Sequence, residues 1–226
     1  MKKIAVAIDG PVGAGKSSIA REAAKRLGYV YCDTGALYRA VGLFCVRCVP
    51  NLSDRSAVAA QLDNIKLEIR LEDGAQHVYL NGEDVSEEIR LPEISMAAST
   101  VSAIPEVRTA LLGIQRDIAE NSSVIMDGRD IGTVVLPNAD VKIFLTADAE
   151  IRAKRRYEEL TAKGKEVLYD DVLRELKERD YKDTHREIAP LKQADDAVLA
   201  DTSLLDFNAS VDLVCGIIGS SEMERG

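Results

Sequence analysis

Ile4-Ala5-Val6-Ala7-Ile8-Asp9-Gly10-Pro11-Val12-Gly13-Ala14-Gly15-Lys16-Ser17-Ser18 is the stretch that decides how this chain folds. Ile4 to Ile8 form a short continuous apolar run, the pattern of a strand buried on both faces of a parallel sheet. Glycines follow at once. Ser18 to Leu27 then has helical periodicity, with Ile19, Ala23, Ala24 and Leu27 on one side and Gly28 where a helix C-cap belongs. Between strand and helix, Gly10 to Ser17 fits the phosphate-loop pattern G-x-x-x-x-G-K-[ST]. Its glycines let the backbone wrap with N–H groups inward, and the following helix adds its positive end. Gly10, Pro11, Val12, Gly13, Ala14, Gly15, Lys16, Ser17 and Ser18 are therefore the candidate nucleotide-phosphate site. Lys16 is a point charge for the β- and γ-phosphates, and the Ser17 hydroxyl is a ligand for Mg²⁺, which takes oxygen donors.

Working outward, Tyr29-Val30-Tyr31-Cys32 reads as a second strand and Leu37 to Val46 as a helix. Three further strand-like runs are Val124 to Met126, Val141 to Leu145 and Ala197 to Ala200. Helical segments separate them at Val107 to Ala119, Ala149 to Ala162, Asp170 to Arg186 and Asp206 to Ile218. Alternation of this kind implies right-handed βαβ units and a parallel sheet with helices on both faces. The expected fold class is α/β: a P-loop NTPase-type three-layer fold with a five-stranded parallel sheet. One region breaks the pattern. Ile65 to Leu71 alternates apolar and polar, Glu72-Asp73-Gly74 makes a turn, and His77 to Leu80 follows, predicting a small two-stranded antiparallel insert outside the main sheet. Residues 219–226 are expected to fray.

The length of 226 residues fits one domain with elaborations. The 29 Lys and Arg against 38 Asp and Glu give a net charge of −9, which argues against a nucleic-acid or anionic-membrane binder. No run is long enough to span a membrane, and Asp9 ends the apolar start well short of a signal peptide. The four cysteines make no disulfide framework; Cys45-x-x-Cys48 has metal-ligand spacing without a second pair, so buried thiols are expected. The chain reads as cytoplasmic.

A phosphate loop serves kinases, switches, motors and sensors alike. A GTPase switch should carry N-K-x-D or T-K-x-D, and neither occurs; Asp127-Gly128-Arg129-Asp130 stands where D-x-x-G would be, without matching it. Arginines narrow the choice. Asp33-Thr34-Gly35-Ala36-Leu37-Tyr38-Arg39 follows the second strand, and Arg129 follows the Val124 to Met126 strand. Ligands in open α/β sheets bind outside the carboxyl ends of the strands, so Arg39 and Arg129 are candidate anion contacts. Arg152, Arg155 and Arg156 share one helix face by spacing, as do Arg179, Asp183 and Arg186 on the next helix. The segment 149–187 holds 11 basic and 11 acidic residues, too balanced for a polyanion site. Taken alone it is a salt-bridged helix pair; beside a phosphate loop it reads as a mobile lid carrying guanidinium groups.

These residues resemble the bacterial cytidylate kinases. The resemblance rests on Ile8-Asp9-Gly10-Pro11, Asp33 to Arg39, Ala98-Ser99 with Pro105-Glu106-Val107-Arg108, Asp127 to Asp130, Arg152 to Arg156, and Glu178 to Leu191, in order over about residues 3–218. It implies Mg²⁺-ATP as phosphoryl donor and CMP or dCMP as acceptor. It further implies one kinase domain over 1–226, with a core at 1–62, 102–147 and 189–218, a nucleoside-monophosphate-binding insert at about 63–101, and a helical lid at about 148–188. By position, Arg39 and Arg129 would hold the acceptor phosphate, Arg179 and Asp183 the ribose, and Thr34 would bind substrate. Ser99, Arg108, Asp130 and Arg186 would form the cytosine pocket. Lys16, Arg129, Arg152, Arg155 and Arg156 would be catalytic. A monomer is expected. Thr34 stands where serine is usual, and Lys182 and Thr184 where some members have arginines.

Phosphoryl transfer to a phosphate acceptor needs no catalytic base, because the acceptor is already an anion. What it needs is positive charge that brings two repelling phosphates in line. Cytosine presents an N4 amino donor where uracil has an acceptor, so a carboxylate such as Asp130 favours the first. The competing readings are a kinase for adenylate, uridylate or shikimate, and a slow nucleotide-binding switch.

Overall fold

The structure, a computed structural model, describes residues 3–72 and 75–223 and divides into two compact units, one of residues 1–31 and 122–226 and one of residues 32–121.

The first unit is built on a five-stranded sheet in the order β2-β6-β1-β7-β8. Its strands are β1 (Ala5–Asp9), β2 (Val30–Asp33, whose first two residues belong to this unit), β6 (Val124–Gly128), β7 (Val141–Thr146) and β8 (Val198–Asp201). Parallel pairing sets Ile8 opposite Asp127, and Asp9 opposite both Gly128 and Phe144. The carboxyl ends of the central strands are thus aligned, and the phosphate loop leaves from between two neighbours. Helices α1 (Lys16–Leu27) and α8 (Phe207–Met223) supply Ile19, Ala20, Ala23, Ala24, Val211, Val214 and Ile218 to a core shared with Val6, Ile8, Ile125, Ile143 and Leu145. The small alanine face of α1 is what allows it to lie close to the sheet. Helices α6 (Ala149–Ala162) and α7 (Tyr169–His185) pair around Ala153, Val172 and Leu176.

The second unit holds α2 (Thr34–Cys48), α3 (Arg55–Ala59), α4 (Pro92–Val101) and α5 (Pro105–Asn121) with a small sheet of β3 (Leu67–Glu72), β4 (Ala75–Leu80) and β5 (Glu83–Asp84). The alternation is as expected: Leu67 pairs with Leu80 and Ile69 with Val78, and these side chains join the unit's apolar clusters. Helices α2 and α4 cross closely at Gly42, where a Cβ would stand 2.9 Å from the Ala98 nitrogen. Cys45 is buried in the α2 cluster, and burial pushes its thiol up to about 11. Cys48 is exposed and donates to the Phe44 carbonyl.

Three expectations need correction. The insert is three-stranded, since β5 adds two residues to β4 through Tyr79–Asp84 and Leu80–Glu83. Helix α4 spans a region read only for motifs, although Ile94, Ala97, Ala98 and Val101 repeat at helical spacing and are buried. The tail does not fray at Gly219, because α8 continues to Met223 with Ile218 fully buried beneath it. The expected Glu72-Asp73-Gly74 turn lies outside the described residues. Among the described residues no helix is long and apolar enough to cross a membrane.

Candidate functional site

The chain leaves β1 at Asp9 and turns at Gly10, where a Cβ would fall 2.0 Å from the Leu145 carbonyl oxygen. Only glycine fits there. Gly15, with φ of 85°, precedes α1 and adds no side-chain cap, so the helix opens bare onto the loop, the arrangement that binds phosphate. Lys16 is 5% exposed and donates to the Pro11 carbonyl at 2.7 Å, folding over its own loop. Burial, and next the Arg129 guanidinium, pull its ammonium well below the ordinary lysine range; Asp127, Asp9 and Asp183 oppose them. A buried cation of this kind is stabilised by an arriving anion.

Ser17 Oγ donates to Asp127 Oδ2 at 2.8 Å, and the Tyr31 hydroxyl donates to Oδ1 of the same carboxylate at 2.8 Å. The sheet register explains this: Asp127 lies beside Ile8, at the strand end flanking the loop. The Ser17 hydroxyl and the Asp127 carboxylate are hard oxygen donors that suit Mg²⁺. Asp127 and Tyr31 had not been singled out for this chemistry. An acidic residue closing an apolar strand beside the phosphate-loop strand was the available signal for Asp127; Tyr31 had none.

The loop is braced from the helix pair. Arg152, 6% exposed, donates to Ala147 O through Nε and to Val12 O through Nη1, both at 2.7 Å, and pairs with Asp180 at 2.7 Å. Asp180 in turn accepts from the Val12 amide at 3.2 Å. Both polar groups of Val12 are therefore held by one ion pair. Arg129 Nε donates to Asp183 Oδ2 at 2.8 Å, and Arg186 pairs with Asp130 at 3.1 Å. Asp9 accepts from the amides of Ile131 and Gly132 at 2.8 and 2.7 Å, which open a π-helical turn at Ile131–Val135. Burial outweighs those two hydrogen bonds and raises the Asp9 carboxyl to about 6.

The second unit arranges its own residues. Asp33 caps α2 by accepting from the Ala36 amide, and its other oxygen takes Arg39 Nη2 at 2.6 Å. Gln76 of β4 bonds the Asp33 backbone in both directions, and Thr34 is buried as the first residue of α2. Arg108 lies 5.5 Å from the Tyr38 ring centre and donates to the Ser102 carbonyl. Ser99 is half-buried on α4, and its carbonyl accepts from Ser102.

The predicted residues thus fall into groups. Within the first unit Arg129 pairs with Asp183 and Arg186 with Asp130, Lys16 and Arg152 bond the phosphate loop at Pro11 and Val12, Ser17 bonds Asp127, and Arg179 is half-buried on α7. The three α6 arginines part company: Arg155 donates to the carbonyls of Thr202 and Leu205, and exposed Arg156 pairs with Glu159 on its own helix. Spacing put them on one face; side-chain length takes them to three different partners.

Comparison with known proteins places the chain in a family. The profile of the cytidylate kinase family matches residues 6–219. The cytidylate kinase of Caldicellulosiruptor bescii is 54% identical over 207 residues, 92% of each chain. That of Ligilactobacillus salivarius is 50% identical over 218 residues, 96% of this chain and 97% of the relative. Among solved structures, an uncharacterized protein from Eubacterium ventriosum aligns at a TM-score of 0.53 with 14% identity, covering 96% of this chain and 99% of that one, a likeness of fold. With a whole-chain profile match and relatives at half identity, this chain belongs to the cytidylate kinase family.

Proposed function

We propose that the protein transfers the γ-phosphoryl group of Mg²⁺-ATP to CMP or dCMP. An acceptor phosphate oxygen forms the new bond to Pγ, the bond from Pγ to the bridging oxygen breaks, and ADP leaves with that electron pair. The observation that supports this most is the phosphate-loop cluster: buried Lys16, with Ser17 hydrogen-bonded to Asp127, at the tip of β1. Ser17 and Asp127 would hold Mg²⁺, which supplies charge neutralisation across the β- and γ-phosphates. Lys16 would exchange the Pro11 carbonyl for phosphate oxygens, which favour its ammonium form.

In this reading Arg39 and Arg129, with Thr34, hold the acceptor phosphate, and Arg179 and Asp183 hold the ribose. Ser99, Arg108, Asp130 and Arg186 recognise the base. Arg152 fixes the phosphate loop through Val12, and Arg155 and Arg156 belong to the lid formed by α6 and α7. The site lies in a protein proposed to act as a cytoplasmic monomer on small nucleotides. The supporting geometry is that each of these arginines but Arg156 has at least one semi-buried partner from elsewhere in its unit or a half-buried position of its own.

The test is ADP release from Mg²⁺-ATP with CMP, dCMP, UMP and AMP offered separately at equal concentration. Turnover on CMP and dCMP with UMP slower by about 10²-fold or more is the expected result. Equal turnover on UMP would remove Asp130 as the discriminating group, and turnover on none would remove the kinase reading.

A further inference from the structure

The turn at Ile131–Val135 begins immediately after Arg129 and Asp130, and its first two amides need acceptors that the turn cannot supply itself. Asp130 occupies the N-cap position: its carbonyl accepts from Val134 and Val135 at 2.9 and 3.2 Å. Aspartate is among the preferred N-cap residues because its carboxylate ordinarily takes such an amide. Here it makes no side-chain cap and pairs with Arg186 instead. The capping is done by Asp9, from the end of β1 and 122 residues away in sequence, with one oxygen on Ile131 N and the other on Gly132 N.

We propose that Asp9 is a positioning residue for acceptor-base recognition: by capping the 131–135 turn it keeps the Asp130 carboxylate on Arg186 and directed to the base. The proposal rests on the reading of Asp130 as a base-recognising group. Asp9 also directly precedes Gly10, so the same carboxylate joins the start of the phosphate loop to the segment that carries Arg129 and Asp130. Space at the joint is tight: a Cβ on Gly132 would be 3.4 Å from Asp9 Oδ2 and 3.2 Å from Lys142 Cδ. An asparagine at position 9 has one acceptor oxygen and would present a donor to the second amide. Asp130, standing at the N-cap, is of the residue type that would supply the missing acceptor, at the cost of its pairing with Arg186.

The experiment is a double-mutant cycle on the full chain with Asp9→Asn, Asp130→Ala and both together. Read-outs are kcat and KM for CMP, UMP and ATP, with circular dichroism to confirm folding. Asp9→Asn is expected to raise KM for CMP about tenfold and shrink the preference for CMP over UMP by a similar factor, with KM for ATP changed less than about twofold. In the Asp130→Ala background the same substitution should add less than about twofold. Fully additive effects, or a KM for ATP that rises in parallel, would overturn the proposal and make Asp9 a support of the phosphate loop. An unchanged CMP preference in Asp130→Ala alone would overturn the base-recognition reading and the proposal with it. If Asp9→Asn does not fold, Asp9→Ser carries the same cycle; failure of both to fold would assign Asp9 to the fold alone and overturn the proposal.

Discussion

Ser17 Oγ donates to Asp127 Oδ2 at 2.8 Å, joining the first turn of α1 to the end of β6 and setting two hard oxygen donors side by side. The contact follows from the parallel register that sets Asp127 beside Ile8, so it depends on the sheet rather than on loop conformation.

Asp127→Asn should therefore weaken metal use before it weakens the fold. The amide keeps the size and one acceptor but loses the charge. The Mg²⁺ concentration for half-maximal ADP release should rise, and kcat should fall by about 10²-fold. A magnesium titration at saturating nucleotide reads this. An unchanged Mg²⁺ requirement would remove Asp127 from the metal site.

Lys16→Met should separate activity from stability. The folded state disfavours the buried ammonium, so the lysine binds its proton less readily folded than unfolded. That penalty is full wherever the folded-state lysine is protonated and fades as rising pH deprotonates it. Methionine removes the penalty. The nucleotide-free variant should be more stable by about 1–2 kcal/mol, while kcat/KM falls by about 10²–10³-fold. Thermal unfolding and ADP release test both signs.

Arg152→Ala should do the opposite. It leaves Asp180 without its ion-pair partner and the Ala147 and Val12 carbonyls without a donor. A loss of about 3 kcal/mol is expected, with a raised KM for ATP because Val12 is no longer held. Urea unfolding with initial-rate kinetics checks it.

Asp9 gives a pH signature. Its carboxyl is raised from 3.8 to about 6 by burial, so the folded state holds the proton more tightly than the unfolded one. The charged form at neutral pH costs stability on the order of 3 kcal/mol. Wild type should gain stability relative to Asp9→Asn as pH falls from about 7 to 4. Besides the Ile131 and Gly132 amides, the charges acting on Asp9 are Asp130, which raises its carboxyl, and Lys16, which lowers it. Denaturant curves across that window measure the difference, and a pH-independent difference would contradict the raised carboxyl.

The α/β core was legible because Val6, Ile8, Val124, Ile125, Met126, Val141, Ile143 and Leu145 lie in short apolar runs, interrupted only by Lys142, and are all buried. Other elements left weaker marks. Strand β5 is two exposed acidic residues paired with β4, Glu83 also bound to Arg47 and Asp84 to Ser86, and no periodicity marks it. In α4 the buried face is short, Ile94, Ala97, Ala98 and Val101, and half of it is alanine, which reads as composition before it reads as a helix. The site was legible where a local motif encodes it, at Gly10 to Ser17, and at strand ends for Arg129 and Asp130. It was illegible where function depends on pairing across the chain. Nothing near Asp9 in sequence announces Ile131, and nothing near Val12 announces Asp180, 168 residues later. The α6 arginines show the limit from the other side, since helical spacing sets a face but not where a long guanidinium side chain ends.

The most direct test of phosphoryl transfer to cytidylate follows a label. With the γ-phosphoryl group of ATP labelled and CMP as acceptor, the account predicts the label in the β-position of CDP, in equal amount to the ADP formed, and far less transfer to UMP. Label released as inorganic phosphate, or passed equally to UMP, would contradict it.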